Sequence, residues 1–246
     1  EEGRGVGQDK TRAGVLYNYA CVGGDAWSCL DLGFGVKKKL AGQEAGAVPL
    51  YTKACDRGDA HGCLKLGLRL AQGRGVNKDE KRAAALLTKV CAGGLALGCS
   101  SLGILFEKGI GVGKDMERAA DLYKKACDAA DGWGCYFLGN WFVSNEADPD
   151  DARAIGFYTK ACDGKLSVGC TRLGQLLARR GKKKGIAKDA ELAAALLTKN
   201  CSGAGDALSC MILGELFQEG RGVAKDASRA AALYTKGCDQ GFAEGC

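Results

Sequence analysis

The sequence predicts an all-α protein, an α/α right-handed superhelical solenoid of helical hairpins stapled by disulfides. Three observations predict it. The 14 cysteines among 246 residues fall into seven local pairs whose first members recur every 34 to 39 residues. Ahead of each pair runs a short stretch with helical apolar spacing, almost always led by Asp. After the second cysteine of each pair comes Leu-Gly, six times over. A period of this size in a chain near the upper limit for one core reads as a repeat array.

The cysteines come first because they set the frame. They pair as Cys21/Cys29, Cys55/Cys63, Cys91/Cys99, Cys127/Cys135, Cys162/Cys170, Cys201/Cys210 and Cys238/Cys246. Six pairs enclose seven residues, and Cys201/Cys210 encloses eight. Zinc sites want CxxC-type spacing with further ligands, and the chain has one His, so no metal and no cofactor is expected. An even set of local pairs reads as seven disulfides made in an oxidising compartment. The alternative, seven reduced pairs in the cytosol, leaves the pairing without a use.

The helix before each pair is justified by its spacing. Counted back from the first cysteine, position −8 is Ala13, Ala47, Ala83, Ala119, Ala154, Ala193 and Ala230. Positions −5 and −4 hold Leu, Phe or Tyr, as in Leu50-Tyr51 and Leu122-Tyr123. Position −12 is Asp9, Asp79, Asp115, Asp150, Asp189 or Asp226, with Gln43 the exception. Asp followed by apolar residues at i+4, i+7 and i+8 is an N-capped amphipathic helix, helix B. Pro49 stands inside the helix B expected at 47–55.

The second cysteine opens helix A. Leu-Gly follows at 32–33, 66–67, 102–103, 138–139, 173–174 and 213–214, with an apolar residue seven after the cysteine. Gly inside a helix costs roughly 1 kcal/mol relative to Ala. Its recurrence predicts a close approach of helix A to helix B, opposite the small Ala. Gly-x-Gly-Val at 3–6, 73–76, 109–112 and 220–223 is the turn between them, with the capping Asp three residues on. Without a preceding strand or a following Lys-Ser/Thr it is no phosphate loop. The whole chain, 1–246, is thus expected to be one repeat domain. It starts with a half unit (1–21), continues with hairpins 29–55, 63–91, 99–127, 135–162, 170–201 and 210–238, and ends in a stub, 239–246. Two irregular turns stand out: 143–150, which lacks Gly-x-Gly-Val, and the basic run Arg179–Lys184, which carries three extra residues.

Gly-x-Gly-Val-x-x-Asp, Ala-x-x-Leu-Tyr-x-Lys-Ala and Leu-Gly at this period resemble the Sel-1-like repeat, a relative of the tetratricopeptide repeat. The segment Tyr51-Thr52-Lys53-Ala54-Cys55 through Gly62-Cys63 is similar to the Helicobacter cysteine-rich proteins. The resemblance covers the whole chain. It implies an exported protein of the bacterial envelope, secreted, periplasmic or surface-held, that works by protein interaction. It also implies a link to β-lactam or cell-wall binding.

Function must then lie in particular side chains. No Ser has Lys three residues on, no Lys-Thr-Gly exists, and His61 lacks a free Ser or Cys partner, so no enzyme is expected and a weak β-lactamase is the alternative. In the disulfide frame, the face of helix A expected to look inward lies two before, one after and five after the second cysteine. There stand Trp27, Leu30 and Phe34; His61, Leu64 and Leu68; Ser100 and Ile104; Trp133, Tyr136 and Asn140; Thr171 and Gln175; Met211 and Glu215. Solvated helix faces are polar, whereas this one carries aromatic anchors typical of binding surfaces. The expected binding residues are Trp27, Phe34, His61, Leu68, Ile104, Trp133, Tyr136, Asn140, Gln175 and Glu215. The expected partner is a protein or peptide, with a peptidoglycan fragment or β-lactam as the alternative. The net charge of +6 is too small and too evenly spread to predict nucleic acid, and no apolar run reaches the length of a membrane span. No signal peptide is expected within these residues, and both ends read as cut from something longer.

Overall fold

The computed structural model describes residues 47–144, 150–184, 187–202 and 206–240. Among them, helices follow one another without a strand: α1 (Val48–Asp56), α2 (Ala60–Gln72), α3 (Glu80–Ala92), α4 (Ala96–Lys108), α5 (Met116–Asp128), α6 (Gly132–Ser144), α7 (Asp151–Asp163), α8 (Ser167–Lys184), α9 (Ala187–Cys201), α10 (Ala207–Glu219) and α11 (Ala227–Asp239). The predicted A helices are α2, α4, α6, α8 and α10, and the B helices are the odd-numbered ones. The half unit 1–21 lies outside the described residues, as do Cys21, Trp27, Cys29, Phe34 and Cys246.

The disulfides fix the period. Bonds join Cys55–Cys63, Cys91–Cys99, Cys127–Cys135, Cys162–Cys170 and Cys201–Cys210. No cysteine among the described residues is free. Each second cysteine is the fourth residue of its A helix rather than the first. In α2 and α6 the physical reason is an unforeseen cap, Asp59 and Asp131, whereas α4 and α10 start at the same place without a side-chain cap. Asp131 accepts a hydrogen bond from the Gly134 N–H at 2.9 Å and starts α6 three residues before Cys135. Only three residues, such as 57–59 and 164–166, then separate most B helices from the next A helix.

The chain divides into two compact units, Glu1–Leu122 and Tyr123–Cys246. In the first, Tyr51, Leu64, Leu66, Leu70, Ala83 and Leu87 form a buried core between α1, α2 and α3. The Asp79 carboxylate accepts from the Arg82 N–H at 3.0 Å and caps α3. Gly73 ends α2 at φ 66°, where a side chain would be strained. The Asp79 N–H then donates back to the Leu70 carbonyl at 3.0 Å and closes the turn. Pro49 sits in the first turn of α1, where its missing N–H costs nothing, and so it starts that helix rather than interrupting it.

In the second unit Tyr158, Leu173, Leu177, Leu197, Leu213 and Leu216 are buried together. The helical glycines make the close approach the sequence predicts, but their neighbour is not the small Ala. A Cβ on Gly139 would lie 2.6 Å from the Tyr158 ring, and one on Gly174 2.7 Å from Leu197. The glycine makes room for the large residue at −4, while Ala154 and Ala193 are sealed at 0% exposure. The turn that lacks Gly-x-Gly-Val closes on the same bond as the others, with the Asp150 N–H on the Phe142 carbonyl at 3.1 Å.

Two further expectations are corrected here. Asp189 is not an N-cap but lies inside the first turn of α9, where it faces Arg180. Arg179–Lys184 is not a turn: the three extra residues lengthen α8 to 18 residues. Its cations are drawn along the helix by carboxylates on neighbouring elements. Arg179 reaches Asp151 on α7 at 2.7 Å, Arg180 reaches Asp189 on α9 at 3.3 Å, and Lys182 reaches Glu219 on α10 at 3.1 Å.

Candidate functional site

The predicted stripe divides on burial. In the first unit His61, Leu68 and Ile104 are half-buried, while Leu64 and Ser100 are sunk in the core. In the second unit Trp133 is 43% exposed, Tyr136 and Asn140 are half-buried, and Gln175 and Glu215 are exposed. Thr171 is buried at 1% and ties repeats together instead of facing outward. Its hydroxyl meets Asp206 Oδ2 at 2.6 Å and Ser209 Oγ at 2.8 Å, and it accepts from Asn200 Nδ2 at 2.8 Å. The position after the cysteine is therefore core in three repeats, and Tyr136 is the aromatic that escapes.

The structure brings two of the predicted residues, Asn140 and Gln175, into one cleft. The cleft has a volume of about 400 Å³ and is lined by Asn140, Val143 and Ser144 of α6, Tyr158 of α7, and Arg172, Gln175, Leu176 and Arg179 of α8. The helical spacing 172, 175, 176, 179 puts the α8 residues on one face. An aromatic train runs along α6 toward it. Trp133 meets Tyr136 edge-on at 5.8 Å between centroids, and Tyr136 lies 6.3 Å from Tyr158. Arg172, Tyr158 and Arg179 were missed because the inward positions were counted from the disulfide frame. The signal that could have found them was the i, i+3, i+7 run Arg172-Gln175-Arg179 on a helix otherwise rich in leucine.

The polar groups of the cleft are already organised. The Tyr158 hydroxyl donates to Asn140 Oδ1 at 2.7 Å. Burial pushes that hydroxyl up to about 12, so it stays protonated and remains a donor. Arg172 Nη1 donates to Gln175 Oε1 at 2.8 Å. Arg179 is neutralised by Asp151. Arg172 has no carboxylate partner among the described residues, and its Nε is shut off from solvent with no acceptor. The site can thus hold a polar or anionic ligand without rearranging its own hydrogen bonds.

Nothing among the described residues groups three or more His, Cys, Asp or Glu as a metal would need. No described helix is long and apolar enough to cross a membrane.

Comparison with known proteins rests on this geometry. The Sel1 repeat profile matches residues 1–25, 16–59, 60–95, 96–131, 134–166, 167–202 and 207–242. A protective antigen present in uropathogenic Escherichia coli strains, with an SLR fold, is 25% identical, with a TM-score of 0.82 over 98% of this chain and 51% of its own. The chain therefore spans about half the length of that antigen. A Sel1 repeat protein from Oxalobacter formigenes is 20% identical, with a TM-score of 0.73 over 88% of this chain and 84% of its own. Cysteine-rich protein B of Helicobacter pylori is 29% identical over 52% of this chain and 92% of its own, with a TM-score of 0.42. No curated protein sequence matches the chain. Sel1 repeats are in general protein-interaction scaffolds and typically not enzymes. With seven matched repeats running from residue 1 to residue 242 and the helical hairpins in place, the chain belongs to the Sel1 repeat family.

Proposed function

We propose that this chain is a secreted or periplasmic scaffold that holds an extended peptide or a protein edge along one face of its A helices. The five disulfides among the described residues fit an oxidising, extracytoplasmic compartment. The observation that carries the binding reading is the exposed Trp133 leading through Tyr136 to the polar cleft. Rigid aromatics beside fixed hydrogen-bond donors are what peptide-binding surfaces use.

The test is selection of peptides from a displayed library on the immobilised protein, followed by calorimetry with Trp133→Ala and Tyr136→Ala. Aromatic anchors typically cost 2 kcal/mol or more when truncated, about thirtyfold in affinity. That loss is the expected result, with an unchanged melting temperature for the exposed Trp133→Ala and a lowered one for Tyr136→Ala, whose ring also packs on the core. Selected peptides that bind both variants as well as the parent would move the site elsewhere.

The cleft volume also favours a second reading, capture of a β-lactam or a peptidoglycan fragment, since about 400 Å³ lies within the small-molecule range. Here the missing Ser-x-x-Lys argues for binding without turnover. Nitrocefin should be hydrolysed no faster than in buffer. A muropeptide that displaces the selected peptides would make this the better reading.

A further inference from the structure

We propose that the cleft between α6, α7 and α8 is a carboxylate-recognition site, which takes a free carboxylate of a bound peptide on Arg172 with the side-chain amides of Asn140 and Gln175. The inference rests on the peptide-binding reading above and names the chemistry the site selects.

The donors and acceptors that line the cleft decide what it can take. Amide side chains offer both a donor and an acceptor, so an Asn and a Gln would ordinarily leave a cleft indifferent to charge. Here both oxygens already accept one hydrogen bond. Asn140 Oδ1 receives the Tyr158 hydroxyl at 2.7 Å, and Gln175 Oε1 receives Arg172 Nη1 at 2.8 Å. Since Arg can only donate, the second bond fixes the Gln175 amide with its NH₂ turned away from Arg172. The first holds because the Tyr158 hydroxyl keeps its proton. Each oxygen keeps one lone pair, but both amides are oriented, and Asn140 Nδ2 and Gln175 Nε2 have no acceptor among the described residues.

Charge adds to this. Of the two arginines in the lining, Arg179 is matched by Asp151 at 2.7 Å and Arg172 by no carboxylate among the described residues. The Arg172 Nε is screened from solvent and out of a ligand's reach, so a carboxylate would be met by the Nη groups of the guanidinium, of which Nη1 is already steadied by Gln175. A site with N–H donors on three side chains and one unbalanced positive charge favours an acceptor-rich anion over a neutral amide or a cation. A peptide supplies that anion at its C-terminus or on Asp or Glu. Trp133 and Tyr136, on the same face of α6, are placed to take the residues before it.

The test uses three probes on the whole chain, labelled with ¹⁵N: acetyl-Ala-Ala-Phe with a free C-terminus, the same peptide as its C-terminal amide, and acetyl-Ala-Glu-Phe-amide. The readout is the shift of the Arg172 Nε–H, Asn140 Nδ2 and Gln175 Nε2 signals. The free acid or the Glu peptide should bind at least tenfold more tightly than the uncharged amide and should move all three signals, and which of the two does so identifies the source of the carboxylate. Arg172→Gln should erase that preference. Asn140→Asp is a second variant that keeps an acceptor for Tyr158 yet puts a like charge in the cleft, and it should erase the preference too. Binding of the free acid and of the Glu peptide no tighter than that of the uncharged amide, or a preference that survives both variants, would overturn the proposal. If all three peptides bind equally but Trp133→Ala weakens them, carboxylate recognition falls while the peptide-binding reading stands. If no probe moves any of these signals or those of Trp133, both fall.

Discussion

At the scale of single residues, the helical glycines show how a small sequence signal carries a specific geometric demand. Gly139 has the Tyr158 ring where a Cβ would go, at 2.6 Å, whereas Gly156 on α7 has nothing within 4 Å. Both are helical, so Ala should gain the same helix propensity at either. Gly139→Ala should nevertheless destabilise by about 1–3 kcal/mol, the range for overpacking against a ring that cannot retreat. Gly156→Ala should stabilise by up to about 1 kcal/mol. Urea midpoints of the two variants test both, and a neutral Gly139→Ala would mean that the helices do not pack this closely. Tyr158 gives a second residue-level expectation. Its folded value of about 12 lies above the ordinary 10, so the native state keeps a proton that the unfolded chain gives up. Stability should therefore fall as pH rises from about 10 to about 12, and Tyr158→Phe should flatten that part of the profile measured by chemical denaturation. The recurrence of Leu-Gly made the glycine's role legible in the sequence. Its partner was not legible, because Ala and the large residue at −4 lie one helical turn apart, and only packing decides which of them meets the glycine.

At the scale of elements, the capped B helices follow the sequence closely, and α8 does not. Asp79, Asp115, Asp150 and Asp226 each accept from the N–H three residues on, as the spacing requires. Arg179-Arg180-Gly181-Lys182-Lys183-Lys184 looks like a turn because glycine and repelling charges disfavour a helix. Carboxylates from three other elements reverse that preference, and they are distant in sequence, so local reading could not see them. The pairs are not equal. Arg180 and Asp189 are 23% and 18% exposed, while Lys182 and Glu219 are 63% and 41% exposed. Arg180→Ala should cost about 1–2 kcal/mol, between the surface and buried limits. Lys182→Ala should leave the denaturation midpoint almost unmoved. It should still register at Glu219, whose carboxyl is held below its ordinary range first by the Lys182 hydrogen bond and then, against a smaller burial effect, by Arg221. Its contribution is present at neutral pH and is lost as pH falls through its lowered value, a titration that NMR would follow. A Glu219 curve identical in parent and Lys182→Ala would remove Lys182 as the cause.

At the scale of the whole molecule, the disulfide period organises everything else. The five described bonds and the hairpin order were legible because cysteine spacing is insensitive to which residues pack where. The cleft was only half legible. Asn140 and Gln175 could be read from their register, but Arg172 and Tyr158 join them only once α6, α7 and α8 are side by side. Peptide mapping of unreduced protein should return linkages between neighbours only, all 14 cysteines being consumed, including Cys21–Cys29 and Cys238–Cys246. A long-range bond or a free thiol would break the frame. Each bond closes a loop worth about 2.5 kcal/mol in chain entropy. Reduction should therefore lower the melting temperature and broaden the transition, since repeats that contact only their neighbours lose cooperativity when the staples go.

The three-residue connectors beneath those bonds carry a further consequence. Arg57 and Lys165 are exposed in them, beside Cys55–Cys63 and Cys162–Cys170, and Lys165 holds a positive φ of 62°. A protease that cuts after either residue breaks the main chain inside a closed sulfur ring. The two pieces stay joined through the bond, and the helices on each side lose no contact. Nicking at these connectors would thus go unnoticed in the intact mass apart from one added water, and would appear as fragments only on a reducing gel.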